Sequence, residues 1–356
     1  MTPLTGVRIV EFDGLGPVTF AGMVLADLGA DVVRLTRADG ASAFGDVGGA
    51  VLHRGRAAVP VDLKSESDRA VVLDLIRRAD AVIEGFRPGV LERLGLGPDV
   101  CQAANPRLVF ARVTGWGQTG PLADTVGHDI NYIALTGALH AMGEPDRPPA
   151  PPLNLVGDYG GGAMLLVTGV LAGILEARTT GCGRVVDAAM TDGTSLLSSL
   201  FHALSASGLW SSQRGSNLLD GAAPFYRCYG CADGGFVAVG ALEPRFYAAL
   251  LRGLGIDPSD APQFPPGGWP AVQARFAEIF ATRARDDWAI HFEGTEACVT
   301  PVLTFEEAAL HPHNVARSTL AGDPVQPSPA PRFDGAIATP GLATVLDRAA
   351  LSDLWR

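Results

Sequence analysis

Two titratable side chains in glycine-rich settings carry the strongest chemical signal in this 356-residue chain. His128 stands in Gly127-His128-Asp129-Ile130-Asn131-Tyr132, and Asp158 in Asn154-Leu155-Val156-Gly157-Asp158-Tyr159-Gly160-Gly161-Gly162. An apolar segment and the run Arg147-Pro148-Pro149-Ala150-Pro151-Pro152 lie between, with turn chemistry that can fold one back toward the other. An imidazole titrates in a range suited to proton transfer near neutral pH. Gly160 and Gly161 can offer bare N–H groups at a helix N-terminus, a place to hold an anion or a developing oxyanion. The same helix dipole favours an ionised Asp158, a competent base. The two groups are therefore read as facing one reacting carbon. Plainer roles stay open: Asp158 as a helix cap, and His128 as a satisfied structural histidine. Glu243, where a strand turns into a helix, is either a first-turn helix acid or an acid reaching across a domain boundary.

Other motifs are weaker. Gly14-Leu15-Gly16-Pro17 resembles a dinucleotide turn, but Thr19 replaces the third glycine and Pro17 interrupts it, against a nicotinamide cofactor. His53, in an arginine-rich loop with Arg54 and Arg56, could touch phosphate. Cys228 and Cys231 form a lone C-x-x-C, and five scattered cysteines suit reduced intracellular thiols better than a metal site, so none is expected. His311 and His313 lack an acidic third ligand. A net charge of −11 argues against nucleic acid as a partner. Lys64 is the only lysine, so a bound anion must be met by arginines, backbone amides and that one ammonium.

The elements that must position these groups alternate. Strands are expected at Val7–Phe12, Asp31–Leu35, Ala58–Leu63, Ala81–Glu84, Leu108–Val113 and Val185–Met190. Helices are expected at Val18–Leu28, from Ser65 to Arg78, from Ala163 to Leu175, and over Asp192–Ser207. Such alternation implies α/β architecture, a Rossmann-like doubly wound parallel sheet whose ligands gather at the carboxyl ends of strands. Arg37, Lys64, Arg87 and the Thr114–Gly120 loop fall there. The large domain is placed at residues 1–210, completed by 330–356, with linkers at 211–223 and 318–329. A small α+β domain occupies 224–317, opening with a hairpin about Ala232–Gly235. The apolar runs are broken and too short to span a bilayer, and no basic leader precedes them, so a cytoplasmic protein without membrane insertion is expected.

Several segments together resemble the family III coenzyme A transferases, and within them the racemase branch. They are Ala26–Val33, Asp62-Leu63-Lys64, Glu84–Gly89, Thr114–Pro121, Gly127–Tyr132, Asn154–Asp158 and Val239–Pro244. The resemblance implies an interlocked homodimer acting on an acyl-CoA, with no cofactor, since coenzyme A is part of the substrate. It implies His128 and Asp158 as the acid/base pair, with Glu243 from the partner chain supporting His128. It implies that Arg37, Lys64, Arg87 and Arg93 meet the coenzyme A phosphates. Val61, Asp62, Leu63, Gly85, Phe86, Gly127, Asp129, Ile130, Asn131 and Tyr132 would line the nucleotide and pantetheine path. Two further readings stay open: a transferase with Asp158 as nucleophile, and a non-catalytic acyl-CoA binder.

Overall fold

A computed structural model describes residues 2–38 and 48–356. Residues 39–47, within the small-residue loop expected after the second strand, lie outside it. The chain divides into two compact units: Met1–Ala138, Pro152–Ser199 and Pro312–Arg356 form one, Leu139–Pro151 and Leu200–His311 the other.

The first unit runs β1 (Arg8–Phe12), α1 (Pro17–Asp27), β2 (Asp31–Arg37), α2 (Gly49–Leu52), β3 (Arg56–Val61), α3 (Glu66–Ile76) and β4 (Ala81–Glu84). It continues with α4 (Val90–Arg93), α5 (Pro98–Ala104), β5 (Val109–Thr114) and α6 (Asp129–Leu135). A π-helix (Leu155–Ala163) then runs into α7 (Met164–Thr180), followed by β6 (Val185–Ala189) and α8 (Met190–Leu197). The strands pair in the order β3-β2-β1-β4-β5-β6, all parallel, and a short strand at Thr344–Val345 joins beside β3.

Side chains alternate across this sheet as the pleat requires. Ile9, Val32, Ile83 and Val109 join one buried cluster with Leu25 of α1 and Leu166 and Val170 of α7. Val10, Val33, Val82 and Phe110 join the other with Leu75 and Ile76 of α3 and Cys101 of α5. Both faces are covered, which is what lets strands this apolar form a parallel sheet. The strand order reverses between β1 and β4, so the carboxyl ends of those two strands flank a crevice, the usual ligand position in such sheets.

Three ion pairs among the described residues are buried in this frame: Glu11–Arg56, Asp27–Arg54 and Glu84–Arg112. Glu11 and Arg56 are fully enclosed, with 2.6 Å between them. Arg112 bonds Glu84 at 2.7 Å and Glu92 at 2.8 Å. The second oxygen of Glu84 accepts the Phe86 N–H at 2.6 Å, fixing the turn after β4.

In the second unit, entered through α9 (Ser199–Ala206), β7 (Tyr226–Gly230) and β8 (Phe236–Gly240) form the expected hairpin, with Tyr226 opposite Gly240. Then come α10 (Pro244–Leu254), α11 (Trp269–Phe280), α12 (Arg285–Phe292) and β9 (Val299–Val302), which adds antiparallel to β8. Its core is aromatic: Phe225, Tyr229, Tyr247, Trp269, Phe276, Phe280 and Trp288 are all buried.

Three expectations need correction. The helix expected over Asp192–Ser207 is two helices. The hydroxyls of Ser198 and Ser199 bond the carbonyls of Thr194 (2.9 Å) and Leu196 (2.5 Å), and such back-bonding competes with continuous winding. The large unit is not residues 1–210: Leu139–Pro151 and the chain from Leu200 belong to the second unit, and the return begins at Pro312. Arg214 holds that first segment by donating to the carbonyls of Glu144, His140 and Arg147 at 2.9, 2.8 and 2.7 Å. Finally, the continuous helix Leu155–Thr180 has 26 residues and contains an 18-residue window of mean hydropathy 1.6, long and apolar enough to span a bilayer. Half of that window is buried in the fold, and Gly169 and Gly173 press the helix onto Val186 and Val109 of the sheet.

Candidate active site

Asp158 sits inside a helix rather than in front of one. The sequence suggests helix only from Ala163, because four glycines in six residues are poor helix formers. The chain winds from Leu155, and close packing against α8 accounts for the glycines. A Cβ on Gly161 would lie 2.8 Å from the Thr194 nitrogen, and one on Gly193 would lie 1.9 Å from the Gly161 oxygen. The winding is π, with the Tyr159 N–H directed to the Asn154 carbonyl and the Met164 N–H to that of Tyr159. Wide turns of this kind gather at functional positions.

The surroundings of Asp158 fix it tightly. Its Oδ2 accepts from Asn154 Nδ2 at 3.3 Å. Gly16, in the turn leaving β1, lies against the same oxygen, since a Cβ there would come within 3.1 Å. The carboxyl group therefore stands at the crevice where the strand order reverses. The Asp158 N–H donates to Asp129 Oδ1 at 2.7 Å, and a Cβ on Gly157 would be 2.5 Å from that oxygen. Phe20 of α1 stacks on Tyr159 at 4.2 Å.

His128 is the extended residue before α6, and its side chain is exposed. Its N–H donates to Asn131 Oδ1 at 3.0 Å. The Tyr132 hydroxyl donates to the Gly127 carbonyl, and its ring meets Trp116 edge-on at 4.8 Å. Two side chains one helical turn along thus set where the imidazole leaves the backbone.

Electrostatics ties these groups together. Burial pushes the Asp158 carboxyl above its ordinary value. The Asn154 hydrogen bond opposes this, the Asp129 charge adds to it, and the His128 charge pulls it back down. The expectation that the helix dipole would leave Asp158 readily ionised is corrected: desolvation is the larger effect. A carboxyl raised toward neutrality is better matched to giving and taking protons near physiological pH. Burial also raises the Tyr132 hydroxyl, with Asp158 adding to the rise and Arg87 opposing it. The charges of Asp158 and Arg87 thus both act on the Tyr132 hydroxyl.

The other sequence-derived positions fall into three groups. Arg37, Lys64, Gly85, Arg87, Arg93, Ile130 and Asn131 are exposed around the carboxyl edge of the sheet. Asp62 closes a turn there by accepting the Lys64 N–H at 2.9 Å, Leu63 is half-buried, and Phe86 packs edge-on against Phe12 at 6.2 Å. Val61, Asp129 and Tyr132 are buried and face the fold instead of an open path. Asp129 is a positioning group for Asp158, and its Oδ2 has no partner among the described residues. Gly160 and Gly161 do not offer open N–H groups, because the π winding spends them on carbonyls five residues back. Among the described residues, the N–H groups of Asp129 and Ile130, which follow His128 at the start of α6, have no partner. Arg54 is not available for phosphate: it grips Asp27 at 2.5 and 3.0 Å and also donates to Gln326 and the Pro327 carbonyl. Glu243, in the second unit, is exposed and precedes α10 without capping it.

The family model described as CoA-transferase family III matches residues 4–338. The chain belongs to CoA-transferase family III. Within the family it is 45% identical over 341 residues to a Mus musculus protein named alpha-methylacyl-CoA racemase, covering 95% of this chain and 88% of that one. Against the Homo sapiens protein of the same name the identity is 44% over 332 residues, covering 92% and 86%. The crystal structure of a CAIB/BAIF family protein from Brucella suis superposes with a TM-score of 0.82 at 25% identity, covering 99% of this chain and 98% of that chain. The mixed α/β fold with its parallel sheet is thus shared with the family's solved members.

Proposed function

We propose that the protein interconverts the (R) and (S) forms of 2-methylacyl-CoA thioesters, as an alpha-methylacyl-CoA racemase. One observation carries this reading: a half-buried carboxyl raised by desolvation, within electrostatic reach of an exposed imidazole, at the reversal point of a parallel sheet. The names of the mouse and human relatives support it.

The α-proton of a thioester is weakly acidic because the electron pair left behind moves onto the thioester oxygen. One member of the pair takes the proton as the Cα–H bond breaks, and the other delivers a proton to the opposite face of the planar enolate. The roles reverse for the opposite enantiomer, so no net oxidation and no acceptor acid are needed. With Gly160 and Gly161 closed off, the open N–H groups of Asp129 and Ile130 are the donors offered to the enolate oxygen. Arg37, Lys64, Arg87 and Arg93 offer the positive charge a coenzyme A moiety requires. Its remote binding energy holds the α-carbon between the two groups. Glu243 supports His128 from a partner chain in a homodimer, and a cytoplasmic setting accompanies the reading.

The test starts from one pure enantiomer of a 2-methylacyl-CoA with no free acid added, and follows the other by chiral chromatography. A one-to-one mixture is expected. Loss of the starting thioester only when a free carboxylic acid is supplied, with no opposite enantiomer formed and with hydroxylamine trapping of Asp158, would instead establish a transferase.

A further inference from the structure

The reaction site uses the carboxyl edge of the sheet. The opposite edge holds a second feature that neither the family nor the proposed reaction accounts for. Where β1, β4 and β5 begin, a cavity of about 340 Å³ is lined by Arg8, Arg77, Arg78, Arg107 and Arg178, with Asp80 as its one acid. In parallel strands all amino ends lie together. A five-residue strand at roughly 3.3 Å per residue keeps this edge some 15 Å from the crevice beside Asp158.

The five arginines are not equivalent. Arg78 is structural: it bonds Asp74 at 2.5 Å and the carbonyls of Leu354 and Ser352 at 2.7 and 3.3 Å. Arg77 makes a single 3.3 Å contact with Asp74 at the surface. The guanidinium groups of Arg8, Arg107 and Arg178 have no hydrogen-bond or ion-pair partner among the described residues. Asp80 offsets at most one of these charges: its Oδ2 accepts the backbone N–H of Arg8 at 2.8 Å, and it makes no ion pair with the three guanidinium groups among the described residues. The positions themselves are rigid. Arg8 begins β1 and is half-buried, and Arg107 sits in a turn closed by its N–H donating to Asn105 Oδ1 at 3.2 Å. Arg178 lies in the last turn of α7.

Three unpaired cations lining one cavity repel each other. In a chain with 38 acidic and 27 basic residues, acids to pair them would be easy to place. A guanidinium fork matches the oxygens of phosphate or carboxylate, two at a time. A space of this size is at the lower end of small-ligand pockets. We propose that this arginine-lined cavity is a second anion site, taking a small polyanion built of phosphate or carboxylate groups and independent of the reaction at Asp158.

The experiment is isothermal titration of the full-length protein with pyrophosphate and, separately, with citrate, at fixed ionic strength. The two probes separate a phosphate ligand from a polycarboxylate one. Binding of at least one is expected, weakened about tenfold or more in Arg107→Gln/Arg178→Gln, as befits loss of charge-assisted hydrogen bonds. Arg8→Gln should weaken it as well. Lys64→Ala/Arg87→Ala, which alters only the carboxyl edge, should leave in place the binding that Arg107→Gln/Arg178→Gln weakens. Both arginines of the double variant are exposed and unbonded, so it should keep the wild-type circular dichroism. The proposal is overturned if neither anion binds. It is equally overturned if Lys64→Ala/Arg87→Ala abolishes binding while the arginine variants retain it.

Discussion

Glu11 and Asp158 are both carboxyl groups that burial pushes upward, and the chain treats them in opposite ways. Glu11 is fully enclosed and has a dedicated guanidinium, with both of its oxygens 2.6 Å from one Arg56 nitrogen. Asp158 has a neutral amide from Asn154 and a histidine charge to draw it down, against burial and a like charge at Asp129. An enclosed carboxyl bonded through both oxygens to one guanidinium is held in a fixed pair. A half-open carboxyl with a neutral partner can change state. The contrast separates a carboxylate that anchors α1 and α2 to the sheet from one placed to exchange a proton.

Removing either side chain of the exchanging pair should have the largest effect. His128→Ala and Asp158→Ala should each lower the rate of enantiomer interconversion on the order of 10²–10⁴-fold, measured as kcat/KM, with thermal stability little changed. Arg56→Met should do the reverse. It strands a buried carboxylate and should cost about 3–5 kcal/mol in urea unfolding, while any protein still folded keeps its kcat. If Arg56→Met were as stable as wild type, Glu11 would not be the anchored member of the contrast.

Smaller effects sharpen the same distinction. Asn154→Ala removes the hydrogen bond that favours ionised Asp158, so the Asp158 limb of the kcat/KM profile should move to higher pH. An unmoved limb would mean that the 3.3 Å contact is not functional. Asp158→Asn should give a modest gain in stability. The folded pKa lies above the ordinary 3.8, so the folded state holds its proton more tightly than the unfolded state does. Ionisation therefore destabilises the fold as pH rises from 3.8 through the raised value, and above that the penalty is constant. Asp158→Asn escapes it. Its melting temperature should exceed wild type near about pH 7, and the difference should shrink toward about pH 4.

How much of this was legible in the sequence follows from which signals are local. The β-turn-α-β opening, the helix start at Ser65, whose side chain accepts the Asp68 N–H, and the hairpin at Ala232–Gly235 are short-range features, and they stand where the residues imply. The His128 and Asp158 segments could be singled out from glycine context and titration range alone. Long-range packing was not legible. The glycines after Gly157 read as a helix start, because nothing local reveals that Gly193 needs Gly161 as a neighbour. Asp129 read as part of a ligand path because the resemblance takes Gly127–Tyr132 as one segment. Its burial and its bond to the Asp158 N–H depend on a segment twenty-nine residues away. Asn154 carried a usable signal, since an amide four residues before a carboxylate lies on the same helix face. The Glu84–Arg112 pair that fixes the Phe86 turn gave none, as it spans separate strands.

The central claim is that an imidazole and a raised carboxyl exchange the α-proton of a thioester with water. Proton NMR of a 2-methylacyl-CoA in deuterium oxide, with no free acid present, measures this directly. Loss of the α-proton signal and collapse of the methyl doublet are expected with wild type, and neither with Asp158→Ala. An unchanged α-proton signal with wild-type protein, under conditions where the thioester binds, would contradict the account.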